Sequence, residues 1–337
     1  MCKKLLSVLT LAVFTALVLG ITGLPFGTQT AMAKTMLINV ATNYPEPDIR
    51  ADAYRYWAKL VNERSQGRIK LQIHYGGSLL PLPEIFNGLS QGITQSGTLV
   101  ASYVSGRVPD FTPFEIFYSY DSDKWKPLDE EAKPLLDKIL QKQNVKYLGG
   151  HYIGSVTVTS PDKFIKTIED WGGLKVRTAG RWQAGAIQAW GGKPVSIALG
   201  EMYTSLQTGI VDAGLLVYSL IDSLRIYEVA PYLTHLGSVP QWSATGMNLK
   251  FWNSLPAEDR KILEETATEM ENYLDRRSKE LEPQLIEKLK GKGAKIYRPS
   301  AEEIAKMREK VEPLWSKAAG IVGPDGKQLM AILEKYQ

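Results

Sequence analysis

One stretch limits the possible folds of this chain more than any other. From Pro256 to about Lys290 the sequence reads as a single amphipathic helix, with Glu258 and Asp259 in its first turn, where the helix dipole favours acidic groups. At about 1.5 Å per residue such a helix is roughly 50 Å long, more than the width of a small domain. It is therefore expected to lie across two domains, and Pro283 inside it is expected to bend or break it. The chain length of 337 residues agrees with about two domains.

Upstream, strand-like and helix-like segments alternate. Met36 to Ala41 is a short apolar run, and Ile49, Ala53, Tyr56, Trp57, Leu60 and Val61 then recur at helical spacing. Ile69, Leu71 and Ile73 alternate with Lys70 and Gln72, as in a half-buried strand, before the turn at Gly76-Gly77. Thr98 to Tyr103 reads as a strand, Pro127 to Gln143 as a helix, and Val145 to Leu148 as a strand. Glycines cluster at Gly149, Gly150 and Gly154, and beyond them the pattern repeats. Leu174 to Arg177, Val195 to Ile197 and Val211 to Val217 read as strands, Trp182 to Trp190 and Gly200 to Thr208 as helices. This is an α/β pattern.

Lys3 and Lys4, the apolar run Leu5 to Leu19, and Ala31-Met32-Ala33 together read as an export signal over residues 1–33, cleaved after Ala33. The apolar run is too short to span a bilayer. The only cysteine is Cys2, so the mature chain is expected to use neither disulfides nor thiolate chemistry. Lys and Arg total 40 against 36 Asp and Glu, a formal charge of +4 that drops to +2 once Lys3 and Lys4 are removed. A surface so close to neutral gives no electrostatic case for nucleic acid.

Catalytic machinery is hard to find. His74, His151 and His235 are scattered, and no zinc-protease, nucleophile-elbow, phosphate-loop or dinucleotide motif occurs. Asp121 and Asp123 lack the remaining ligands of a calcium loop. An exported two-domain α/β chain without such machinery points to ligand capture in an interdomain cleft rather than to an enzyme. An exported lyase or hydrolase using an aspartate or His151 is the alternative of another class.

The middle of the chain carries a specific likeness. Asp170-x-x-Gly-Leu-Lys-Val-Arg177 is followed by Gly191-Gly-Lys-Pro-Val195 and by Glu201-Met-Tyr-Thr-Ser-Leu-Gln-Thr-Gly-Ile-Val-Asp212. Earlier come Gly67 to Ile73, Gly77-Ser78-Leu79 and the segment Glu84 to Gly92, and later Phe251 to Pro256. Over Lys34 to Gln337 the sequence resembles the DctP-type solute-binding proteins of tripartite ATP-independent periplasmic (TRAP) transporters. The resemblance implies a two-lobed periplasmic binding protein with an interlobe cleft, crossover strands and a long helix shared by both lobes. Lobe I is expected over 34–154 and 243–282, lobe II over 155–242 and 283–337. The lobes are expected to close on ligand by a hinge, with no cofactor and no metal. Small and large membrane permease subunits are the implied partners.

The family arginine that pairs with a ligand carboxylate falls at Arg177. Arginine stays charged, and its planar fork fits a carboxylate. Where sialic-acid-binding members carry a second arginine this chain has Val156, and where keto-acid members place metal-associated groups it has Leu215 and Leu216. Val100 stands at a further position expected to be polar. Leu199 is placed in the site with them, and Trp182, Tyr218, Trp242, Tyr44, Tyr103 and His151 are candidate wall residues. Three or more of these aromatics around Arg177 would form a slot for a flat apolar acid. The expected ligand is thus a monocarboxylate with an apolar or aromatic body: an aryl or indolyl 2-oxo acid, acetic acid or amino acid. A small aliphatic 2-oxo or 2-hydroxy acid, or a sulfonate, is the alternative within the class.

Overall fold

The structure, a computed structural model, describes residues 35–151, 155–237 and 242–337. The expected export signal, the cleavage point after Ala33 and Gly154 lie outside the described residues. The first sheet contains β1 (Met36–Ala41), β2 (Ile69–His74), β3 (Ser96–Val100), β4 (Val145–His151) and β10 (Ser243–Asn248), in the order β2-β1-β3-β10-β4. Ile38, Val40 and Ala41 of β1 are fully buried, which fits a strand flanked on both sides. β2 lies at the sheet edge and presents the exposed Lys70 between the buried Ile69 and the part-buried Leu71, the alternation visible in the sequence.

The second sheet is built from β5 (Val156–Ser160), β6 (Lys175–Thr178), β7 (Lys193–Ser196), β8 (Ala213–Val217), β9 (Tyr232–His235) and β11 (Lys295–Tyr297), in the order β11-β9-β5-β8-β6-β7. Each sheet has one strand antiparallel to both its neighbours: β10 in the first, β5 in the second. These are the strands that follow a crossover, since β5 succeeds β4 of the first sheet and β10 succeeds β9 of the second. The chain thus enters each sheet from the opposite end.

Helices cover the sheets. In the first half these are α1 (Ile49–Arg64), α2 (Leu82–Gln91), the short α3 (Ala101–Val104) and α4 (Trp125–Gln141). In the second come α5 (Arg181–Ala189), α6 (Met202–Gln207) and α7 (Tyr218–Ser223), and then α8 (Leu249–Ser254), α9 (Ala257–Gly291), α10 (Ala301–Ala319) and α11 (Pro324–Glu334). The strand expected over Thr98 to Tyr103 ends at Val100, and the chain turns at once into α3.

α9 runs unbroken for 35 residues through Pro283. Its Leu263, Met270 and Leu274 pack with Trp57 and Val40 of the first lobe, while Leu285 and Leu289 belong to the core of the second. Packing on both sides of Pro283 outweighs the roughly 3 kcal/mol that a mid-helix proline costs. At the end of the chain Leu329 and Leu333 of α11 lie in the core formed with Leu128, Leu136 and Tyr147. The last helix therefore sits with the first sheet, not with the second as the expected 283–337 boundary had it, because its apolar face finds α4 there.

Candidate functional site

Strands of both sheets deliver residues to one cavity of about 60 Å³. β1 leads into Asn43 and Tyr44, and β3 ends at Val100 and continues to Ser102 and Tyr103. From the second sheet, β6 supplies Arg177, β8 supplies Leu215, Leu216 and Val217, and Leu199 follows β7. All sit at or just beyond the carboxyl ends of parallel strands, where open α/β sheets bind ligands. Ser243 reaches the same place because β10 runs the other way and begins there.

Arg177 is buried, and its Nε donates to the Ile197 carbonyl at 2.9 Å. Burial pulls its pKa below the ordinary guanidinium value, and the Tyr103 hydroxyl beside it works the other way. Among the described residues no carboxylate is paired with it. Arginine remains charged under all ordinary conditions, so the cavity holds one uncompensated positive charge.

A second buried arginine, Arg50, lines the same cavity in a different state. It lies in the first turn of α1, where Asp48 caps the helix by accepting from the Arg50 backbone N–H at 2.9 Å. The Asp48 carboxylate also takes Arg50 Nε and Nη2, both at 2.6 Å. The guanidinium carbon stands 4.4 Å from the centroid of the Tyr44 ring. The Tyr44 hydroxyl shares a hydrogen with Ser243 Oγ at 2.6 Å, and burial raises its pKa, so it stays neutral.

Several expected wall residues lie elsewhere, three of them one step from a residue that does line the cavity. Trp182 packs against Ile116 and Ala318, under the Arg181 guanidinium, while its helical neighbour Gln183 faces the cavity. Successive helix residues point about 100° apart. Trp242 is fully buried among Phe111, Phe114 and Tyr147, and Ser243 takes the cavity position. Tyr218 bonds His235 Nδ1 at 3.1 Å and lines a neighbouring cavity, while the preceding Val217 lines this one. Val156 sits in the second-lobe core, paired across the sheet with Val217.

His151 belongs to a polar layer behind the wall. Its Nε2 meets Thr245 Oγ1 at 2.8 Å, and the Tyr54 hydroxyl bridges Thr245 and Thr98. Burial drives the His151 pKa down to about 3, so the ring is neutral near pH 7. It can position Thr245 but does not line the cavity. The sequence reading missed Asn43, Arg50, Leu82, Ser102, Ala179, Gln183, Val217, Leu220 and Ser243. The one available signal was Asp48-x-Arg50 at the start of a helix directly after a strand.

Residues 40–320 match the model of DctP, the bacterial extracellular solute-binding protein family 7. The chain belongs to this family. It is a DctP-type TRAP solute receptor, in a family of binding proteins rather than enzymes. The ectoine-binding periplasmic protein TeaA of Halomonas elongata is 26% identical to this receptor over 293 residues, 84% of each chain. DctP7, a Bordetella pertussis extracytoplasmic solute receptor binding pyroglutamic acid, matches with a TM-score of 0.84 at 18% identity, over 89% of this chain and 100% of its own. DctPAm of Advenella mimigardefordensis, solved with galactonate, gives 0.82 at 22% identity over 90% and 99%. Among the described residues of this DctP chain no helix is long and apolar enough to cross a membrane.

Proposed function

We propose that this receptor captures a small organic monocarboxylate with an apolar body in the periplasm and delivers it to the small and large TRAP membrane subunits. The observation that carries the reading is the uncompensated Arg177. With Arg50 neutralised by Asp48, the cavity asks for one negative charge, which a monoanion supplies and a dianion exceeds. A sulfonate meets the same demand. Val100, Leu199, Leu215, Leu216 and Leu82 present no partner for sugar hydroxyls, each of which costs about 1–3 kcal/mol when buried unpaired.

Size favours the aliphatic acids. A water needs about 10–15 Å³ of such space, so 60 Å³ takes about five water-sized groups, that is, a carboxylate with a few carbons. Trp182, Tyr218 and Trp242, which would have stacked on an aromatic body, do not line this space. The single carboxylic group of the pyroglutamic acid bound by DctP7 is compatible with the same charge count, whereas the galactonate of DctPAm is far more hydroxylated.

Native mass spectrometry of gently purified protein, followed by thermal-shift screening, tests the reading. Pyruvate, 2-oxobutyrate or lactate should raise Tm more than malate or galactonate at equal concentration. Greater stabilisation by the dicarboxylates and sugar acids would overturn it.

A further inference from the structure

A second cavity, of about 400 Å³, lies against the first, between the start of α1, α7 and the C-terminal part of α9. Only Arg50 and Val217 belong to the walls of both. The Arg50 guanidinium is held on three sides: in plane by both oxygens of Asp48, on its face by the Tyr44 ring, and across the cleft by Ser219 Oγ at 3.1 Å. Ser219 lies on α7 of the second lobe, so this contact closes a wall that the first lobe begins. A planar fork fixed in this way has no freedom to swing aside while all three contacts stand.

The larger cavity does not look like a second anion site. Ile49, Val217, Tyr218, Leu281 and Leu285 supply its apolar lining, and Asp52 and Glu282 add carboxylates that would repel a second anion. Both cations on its wall are already paired, Arg50 with Asp48 and Lys288 with Asp222 at 2.7 Å. What it offers is room for a hydrocarbon or aryl body beside a carboxylate anchored elsewhere.

We propose that Arg50 is the partition that sets ligand length in this receptor: clamped by Asp48 and Ser219, it confines the acid to the space around Arg177 and keeps its body out of the 400 Å³ chamber. The inference rests on the monocarboxylate reading above and adds the residue that limits chain length within that class. Arg50 acts on specificity by position, not by supplying the ligand's countercharge.

The test is a calorimetric binding series on the mature protein with straight-chain 2-oxo acids from pyruvate to 2-oxooctanoate, and with phenylpyruvate. In the unsubstituted receptor, affinity should fall at least tenfold between the four-carbon and eight-carbon acids. The paired replacement Asp48→Asn with Arg50→Met removes both charges together and leaves an acceptor at the cap of α1. It should tighten 2-oxooctanoate and phenylpyruvate at least tenfold relative to pyruvate. Ser219→Ala, which leaves the buried ion pair in place, should shift preference the same way by about threefold, and it serves if the paired variant does not fold. A length cutoff unchanged in variants that still bind pyruvate would overturn the partition. So would an unsubstituted receptor that binds the eight-carbon acid as tightly as the three-carbon one. If the unsubstituted receptor binds none of these acids, the monocarboxylate reading itself has failed, and the partition falls with it.

Discussion

The two sides of the cleft each contribute a buried arginine, and the two are opposite in electrical state. Arg50, from the first lobe, spends its guanidinium on Asp48, Tyr44 and Ser219, and its ion pair has side-chain exposures of only 3% and 0%. Arg177, from the second lobe, has one backbone carbonyl and a tyrosine hydroxyl. A finished charge is part of the fold, and an unfinished one is a demand for ligand. If this contrast is correct, damage around Arg50 appears as lost stability and damage at Arg177 as lost binding.

The largest effect should come from breaking the finished pair on one side only. Asp48→Ala leaves Arg50 buried without its carboxylate, which typically costs about 3–5 kcal/mol, and it also removes the cap of α1, worth about 1 kcal/mol. Urea unfolding of the ligand-free protein should show a loss of at least 3 kcal/mol. A change under 1 kcal/mol would mean that Arg50 is better solvated than its burial indicates.

Arg177→Ala should give the mirror result. The ligand-free protein should be no less stable than before, since an unpaired buried charge has been removed, while affinity for the bound acid falls by about 2–5 kcal/mol, or roughly 30- to several-thousand-fold. Arg177→Lys should recover only part of this, because an ammonium cannot offer the two-pronged fork. Near-normal affinity in the alanine variant would remove the assignment.

Glu115 sharpens the comparison, because a carboxyl has a way out that an arginine lacks. It is buried with Ser105 donating to Oε1 and no partner on Oε2, and burial raises its pKa from 4.5 to about 7, opposed by the Ser105 bond and the Arg181 charge. The folded protein therefore holds a proton that the unfolded chain has already lost. Stability from this group is fully present below pH 4.5 and declines as pH rises to 7, by about 3 kcal/mol in all. Glu115→Gln should flatten that part of the stability profile and be the more stable protein at pH 8. An unchanged slope in the glutamine variant would show that Glu115 is ionised in the fold.

Periodicity gave up the elements readily: the alternation around Ile69 to Ile73 marked a half-buried strand, and the run after Pro256 marked the helix shared by both lobes. The lining of the candidate cavity was legible wherever a motif fixed a residue at a strand end, as with Arg177, Leu215 and Leu216. It was illegible where side-chain phase decided. Trp182 and Gln183, Trp242 and Ser243, and Tyr218 and Val217 are neighbours pointing different ways, and composition drew the reading to the larger residue of each pair. Large aromatics gain most by complete burial, so the core claimed Trp242 and left the smaller Ser243 facing the cavity. Arg50 was hidden for another reason: nothing in a linear sequence shows that a capping aspartate also neutralises the arginine two residues on.

The smallest expected effect concerns the one amide in the first-lobe wall. Asn43 Oδ1 is buried and has no hydrogen-bond partner, while the neighbouring Tyr44 hydroxyl is already engaged by Ser243. An acceptor left idle in the cavity wall fits a donor on the ligand, such as the hydroxyl of a 2-hydroxy acid. The net worth of such a bond is about 1 kcal/mol, so Asn43→Ala should weaken a 2-hydroxy acid by roughly fivefold and leave the matching 2-oxo acid within twofold. Side-by-side calorimetry with lactate and pyruvate reads the difference directly. Equal losses for both would show that Asn43 shapes the cavity without recognising the second substituent, and discrimination between the two acids would then fall to Ser102 or Tyr103 on the β3 side.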